Sequence, residues 1–479
     1  SAGGSVTIVG AGGSTSTGNS FGVHILDTGS RVTSTGAGNI SITGSGGNGT
    51  GDSNVGVVVR TAATVNSTGT GLIAITGTRG AGANSNESVF IEGTLTSVAG
   101  NISIIGNGGG VVTGANNSGV VVTGSGIVSS TGAANISITG TGAAGTASNN
   151  GVRLVSGAQV TSSAGGTITL TGTGGAGTSY NYGVEIATGA DVISSGTGAV
   201  SITGTGGAGS ENTNTGIFLN GAGTTVSTVG STALTMTGTG GASTAIDQMG
   251  VRIGSGAAVS TVNGNLTVTG VSGAGGTGNS FGVHVVGGAS LGATGAGNLL
   301  VTGTGSLTAQ GINVQVGTNT IGNATMSGDI LLNSLAGTGI GFGTIFGGNN
   351  NVITSGNVTL NATGGGTVVQ NGDLDSIKAA GLRLLSDANA TFTLNSTANE
   401  VATLAASLTG ITSKMSYRDA TGFAVGSVLG TNGITLGTAA ANTVTLNAGG
   451  AVTQTKAITA GGLELLGTGS FDLSANINN

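Results

Sequence analysis

The 479-residue sequence has no cysteine, no proline and no tryptophan, and only 5% of its residues are charged. Without cysteine, disulfide frameworks, thiol chemistry and zinc clusters built on thiolates are excluded. Without proline, every residue keeps its backbone N–H, so nothing in the chain interrupts a hydrogen-bonded ladder. Ten Lys and Arg stand against sixteen Asp and Glu, a net charge of -6. That balance argues against nucleic acid as a partner, because phosphate backbones require clustered cations. No apolar run approaches the length of a membrane span, so no membrane insertion of this segment is expected. Aromatic residues make up only 3%.

What the sequence has in abundance is glycine, 103 residues of it. Disorder at such a content usually comes with proline, charge and few branched aliphatics, whereas here Val and Ile recur at regular spacing. Glycine therefore reads as corner chemistry. A glycine closes a short alternating run, as in SITG, at Gly10, Gly44, Gly77, Gly106, Gly140, Gly172, Gly204, Gly238, Gly270 and Gly303. The steps between them are 34, 33, 29, 34, 32, 32, 34, 32 and 33 residues. A fixed period of this size marks a solenoid, in which each unit buries its apolar face only by stacking on the next.

Within each unit the apolar residues alternate, which is strand periodicity. Three short strands are read per unit. The first carries pairs such as Ile40 and Ile42, or Ile136 and Ile138; the second carries Val57 and Val59, or Val152 and Leu154; the third centres on Val32, Val65, Val128, Val160, Val192, Val226 and Val259. Parallel strands without helical crossovers cannot form a doubly wound sheet. The fold expected is all-β: a right-handed parallel β-helix (β-solenoid) with three short strands per rung of about 33 residues. Roughly fifteen such rungs imply a rod on the order of 70 Å long.

Residues 1–328 give ten glycine-rich rungs, with a long Gly/Ala/Ser/Thr/Asn loop after each anchor glycine. Loops recurring at one corner line one edge, where solenoids commonly vary for binding, although solvated filler explains them as well. Asn39, Asn101, Asn135, Asn265 and Asn298 precede the first strand, where stacked amides can bond one another. The outward position of the second strand is the most varied, and it supplies the candidate exposed interaction ladder: His24, Phe90, Arg153, Glu185, Phe218, Arg252 and His284, with Val58 and Val121 between them and Asn313 after the last. Arg153 and Glu185 fall one rung apart and are placed to pair. The two histidines share the octapeptide TGNSFGVH but lie eight rungs apart, which excludes a shared metal site. Outward Ser and Thr on the first strand, such as Thr169 and Thr171, form regular hydroxyl rows of the kind an ice-binding solenoid displays, though both residues are also ordinary solvent-facing strand residues.

From Asp329 to Asn479 the texture changes: all three lysines lie there, and thirteen charged residues fall in 151, against thirteen in the first 328. This segment reads as a continuing β-helix with a longer, more charged repeat, since VTLNATGGGTVVQ at 358–370 is echoed by VTLNAGGAVTQ at 444–454. The second copy stops at Asn479 and Ser1 opens inside a repeat. The sequence is therefore expected to be part of a longer polypeptide.

Hydrolytic or lyase chemistry needs convergent carboxylates, or a carboxylate beside Arg, Lys or His. The densest cluster is Asp373, Asp375, Lys378 and Arg383, in a segment that also reads as a solvated turn. GGNGTGD at 46–52 half resembles a calcium-binding nonapeptide but is not repeated, and GTGGAG recurs without the following helix that a phosphate loop requires. No catalytic, metal-binding or cofactor-binding residue is read, and the chain is not expected to be an enzyme.

The NISITG and GVxI units, with AVTQTKAITAGGLELLGTGSFDLSANINN at the end, resemble the repeat regions of very large bacterial filamentous-haemagglutinin-like surface proteins. The resemblance covers essentially the whole chain. It implies an extracellular or cell-surface location and a structural, adhesive role as a stalk or fibre. The partners expected are copies of the chain, end to end or side by side, and other cells or surface glycans. A carbohydrate-binding or carbohydrate-active β-helix is the alternative, and ice binding a third.

Overall fold

A computed structural model describes residues 1, 3–14, 17–110, 112–336, 338–343 and 348–478. The chain is a parallel β-solenoid of about 14 turns with rungs of about 32 residues, and no helix occurs among the described residues. It divides into two compact units, Ser1–Val259 with Ser272–Ser280, and Ser260–Val271 with Phe281–Asn479.

In the first unit each rung contributes one strand to each of three ladders. First-face strands include Val6–Ala11, Ile40–Ser45, Ile136–Thr141, Ile168–Thr173 and Leu234–Thr239. They pair in parallel and in register, Gly10 on Gly44, Gly44 on Gly77, Gly77 on Gly106 and so on to Gly204 on Gly238. The anchor glycines thus form a continuous column. Alternation decides which side chains fill the interior: Ile40, Ile42, Ile136 and Ile138 are fully buried while Thr43 and Thr139 face out. Each such aliphatic removes enough apolar surface from water to contribute about 1.5–3 kcal/mol. A one-residue slip would turn the whole set outward, so the register is strongly specified.

The anchor column must be glycine because of the path the chain takes next. After the first strand the chain leaves the solenoid as a lobe of about ten residues and returns beside its own exit. A Cβ on Gly140 would lie 2.0 Å from the carbonyl oxygen of Gly151, and one on Gly44 2.1 Å from that of Gly56. The third strand ends on an inward serine that ties the next corner. Ser34, Ser67, Ser162 and Ser194 donate to the carbonyls of Gly38, Gly71, Gly166 and Gly198 at 2.5–2.7 Å.

The lobes are ordered by a pillar of buried asparagines: Asn54, Asn86, Asn117, Asn149, Asn181 and Asn214, all fully shielded from solvent. The backbone N–H of each of the first five donates to the Oδ1 of the next at 2.9–3.1 Å. The side-chain amides of Asn86, Asn149 and Asn181 add parallel bonds at 2.9–3.2 Å. The residue before each pillar asparagine, among them Ser53, Ser85, Asn116, Ser148, Tyr180 and Thr213, has φ between 54° and 67°. That left-handed step turns the amide inward.

In the second unit the rungs shorten and the lobe disappears. Ile330 pairs with Val358 and Val358 with Leu382, steps of 28 and 24 residues. The anchor column runs from Gly270 to Gly303, then to Ser334 and Ala362. Once the chain passes from Asn357–Ala362 to Gly366–Gln370 by a short turn, no returning backbone crowds that position. The third and first faces also fuse: Ser376–Ser386 is one eleven-residue strand that pairs with both Asn351–Ile353 and Asn357–Ala362. An antiparallel hairpin, Ser427–Val428 with Thr431–Asn432, folds outside the ladder, where Arg383 donates to the Leu429 carbonyl at 2.9 Å.

The long repeat read after Asp329 does not correspond to equivalent places in the fold. VTLNA at 358–362 lies on the first face, whereas VTLNA at 444–448 pairs with Lys414–Asp419 on the second. Alternating apolar residues suit either face, so the motif determines strand and side but not which ladder receives it. The final residue of that repeat, Asn479, lies outside the described residues.

Candidate interaction face

The second face of the first unit collects the side chains with chemistry. Its strands are short, such as Val57–Val59, Val152–Val155 and Ile217–Asn220, with inward Val, Ile or Leu at both ends of each outward residue. The pairing sets Val58 beside Phe90, Phe90 beside Val121, Val121 beside Arg153, Arg153 beside Glu185, Glu185 beside Phe218 and Phe218 beside Arg252. His24 opens this ladder next to Val58.

Two neighbouring columns flank the ladder. Three residues earlier stand Phe21, Val55, Glu87, Asn150, Tyr182 and Met249; two residues later stand Arg60, Glu92 and Asn220. Apart from Tyr180, which meets Tyr182 edge-on at 6.4 Å, every aromatic residue of the first unit lies on this face.

The side chains form two interlocked groups. In the first, Arg60 pairs with Glu92 at 3.2 Å and lies over the Phe90 ring, 4.9 Å from its centroid. In the second, Arg153 Nε meets Glu185 Oε2 at 2.7 Å and Asn150 Nδ2 donates to the same oxygen at 2.8 Å. Tyr182 from the preceding rung stacks on Phe218 at 4.4 Å with 2° between the planes. Arg252 from the following rung lies 5.0 Å from the same ring and donates to Asn220 Oδ1 at 3.0 Å. Both faces of Phe218 are thereby occupied. Stacking and cation–π contacts of this kind contribute about 0.5–1.5 kcal/mol each.

Burial changes the proton affinities here. Burial pushes the Glu87 carboxyl up to about 7, against the opposing pull of Arg153 and Arg60. It raises the Tyr182 phenol, with Glu185 adding to the effect, and lowers Arg252. His24 is lowered by burial and by Arg60.

Of the candidate ladder, His24 is exposed, and Phe90, Arg153, Glu185, Phe218 and Arg252 are half-buried. His284, in the second unit, is 5% exposed and is not a surface residue. Phe281 tilts against its ring at 4.9 Å and its Nε2 lies 3.1 Å from Gln315 Nε2. Val58 and Val121 are likewise shielded, because close stacking along the ladder covers small side chains between large ones. Sequence reasoning alone missed Glu87, Tyr182, Arg60, Glu92 and Asn220. Alternation places the last three two residues beyond the ladder, and the recurring x-Gly-Val/Ile spacing places Tyr182 three before it.

The cluster Asp373, Asp375, Lys378 and Arg383 does not converge. Asp375 is fully buried and accepts from the backbone and side chain of Asn350 at 2.9 Å. Lys378 pairs with Glu400 in solvent, and Arg383 bonds Thr359 and the hairpin. The asparagines before the first strand act across rungs, but through the backbone: Asn39, Asn101, Asn135 and Asn265 accept N–H bonds from Leu72, Asn135, Thr167 and Asn298. Among the described residues no group of three or more His, Cys, Asp or Glu is placed to hold a metal ion.

Compared with known protein families, curated proteins and solved structures, the chain matches none.

Proposed function

We propose that this chain is a structural and adhesive segment of a large, repetitive bacterial surface protein of the filamentous-haemagglutinin-like kind, working outside the cell and associating with copies of itself and with other cells. The observation that carries the reading is the segregation of chemistry in the first unit. Aromatic rings and paired Arg and Glu occupy one face, while the outward positions of the first face carry no charge and no aromatic ring. Tyr, Phe and Arg are the residue types enriched at the centres of protein interfaces. Because both faces of Phe218 are filled from within the ladder, the face offers little open ring surface for a sugar to stack on. A protein on the target cell is therefore the expected ligand.

The test is adherence of beads coated with the purified chain to cultured cells, comparing wild type with the Arg153→Ala/Phe218→Ala double variant. The reading expects wild-type beads to adhere and the variant to lose at least tenfold. Equal adherence of the two, or release of sugars from a polysaccharide by the wild type, would count against it.

A further inference from the structure

The first face of the same unit is the chemical opposite of the mixed face. Its outward positions form three parallel columns over eight rungs, from Thr7, Val9 and Ala11 to Thr235, Thr237 and Thr239, and none of them is charged. Over four successive rungs every position carries a hydroxyl: Ser137, Thr139 and Thr141; Thr169, Thr171 and Thr173; Ser201, Thr203 and Thr205; Thr235, Thr237 and Thr239. Strict pairing aligns them, Ser137 with Thr169, Thr139 with Thr171 and Thr141 with Thr173, then onward without a bulge. The result is a grid spaced about 4.8 Å along the stack and about 6.6 Å across it.

These hydroxyls differ from others in the chain in one respect. The inward serines at the corners are committed to backbone carbonyls, whereas among the described residues no side-chain bond engages any of the twelve in the grid. The grid keeps its donors and acceptors open. The two large apolar breaks, Val9 at 74% and Ile105 at 36% exposure, stand in the central column, and Ala11 and Ala74 interrupt the outer ones.

We infer that this uncharged hydroxyl face is where a second copy of the chain docks side by side, face against face. This rests on the reading of the chain as a self-associating structural segment and names its contact surface. Three features select a copy of the chain as the occupant. A partner with the same rung spacing matches the grid along its whole length, and an isologous contact requires a self-complementary patch. Absence of charge over eight rungs removes the repulsion that keeps most protein surfaces apart. Eight rungs and three columns cover about 600 Å² per copy, or about 1,200 Å² in all, the lower bound for a specific interface. Interdigitated rows of like side chains between stacked sheets are the dry contact that such a repeat permits.

The experiment uses the full chain in sedimentation velocity over a concentration series, with two double variants, Thr171→Lys/Thr203→Lys and Thr171→Glu/Thr203→Glu, each checked for an unchanged far-ultraviolet spectrum. Wild type is expected to dimerise. Each variant alone should associate at least tenfold more weakly, and an equal mixture of the two should restore pairing. A wild type that stays monomeric, variants that associate like wild type, or a mixture that fails to pair would each overturn the inference, as would a monomeric wild type retained on insoluble polysaccharide through this face. Arg153→Ala/Phe218→Ala separates the two readings: it should dimerise normally whether or not adhesion is lost.

Discussion

The two units solve the same stacking problem with different rungs. In the first, each turn spends about ten residues on a lobe that leaves and re-enters beside itself, which forces glycine at the anchor and an asparagine pillar inside the lobe. In the second, beyond Gly303, the lobe is gone and the anchor column accepts Ser334 and Ala362. Glycine at the anchor is therefore set by the crowding of one returning segment. The solenoid as such does not demand it.

Gly140→Ala tests that difference most severely. Its new Cβ meets the Gly151 carbonyl carbon and oxygen, fixed backbone on both sides, and the rung should lose more than about 4 kcal/mol. Urea unfolding with hydrogen exchange localised to residues 136–155 measures it. Asn149→Ala should cost about 3 kcal/mol. It orphans the N–H of Asn117 in the lobe interior, a buried polar group without its partner, and removes the side-chain bond to Asn181 Oδ1, which keeps only the backbone N–H of position 149. Loss of exchange protection confined to the lobes would show that the pillar, not the core, was broken.

Acidity gives the third test. The Glu87 carboxyl rises from 4.5 to about 7 on folding, so the folded state holds its proton more tightly than the unfolded chain. Its contribution is most favourable below about pH 4.5 and is lost as pH rises through about 7, on the order of 3 kcal/mol if the full shift is realised. Unfolding midpoints across that range should fall for wild type and stay level for Glu87→Gln. Ala362→Gly, the reverse of the first change, should cost only roughly 1 kcal/mol, since it removes one methyl and frees the backbone without a clash. A gain in stability instead would show that both anchors obey the same constraint. The smallest effect is a gain. Gln248 follows Asn214 in the pillar column but leaves its own Oε1 buried without a partner, and Gln248→Asn should add about 1 kcal/mol, read as a higher unfolding midpoint.

Much of this architecture is legible in the residues. Alternation identifies the inward aliphatics, and the recurring glycine marks the register, because close approach and period-2 alternation leave a direct trace in sequence. The pillar leaves a fainter one. Its asparagines sit in the most variable stretch of each repeat, and their common signal, Asn two residues before the Gly or Ser that precedes the second strand, is short. The mixed face is visible only as its central column. Which flanking side chains reach it depends on how the lobe returns, and which are covered depends on the size of neighbours one rung away. The disappearance of the lobe after Gly303 shows as shorter spacing, but the fusion of two faces along Ser376–Ser386 does not, since nothing in SIKAAGLRLLS marks a missing corner.

Register carries a last consequence. In the first unit almost every strand pairs with a strand about 32 residues away, so a newly delivered rung finds its template already in place and never waits for a distant part of the chain. Such a polypeptide can acquire structure in the order in which it emerges from a narrow exit, each turn holding the one before it and drawing the next behind it.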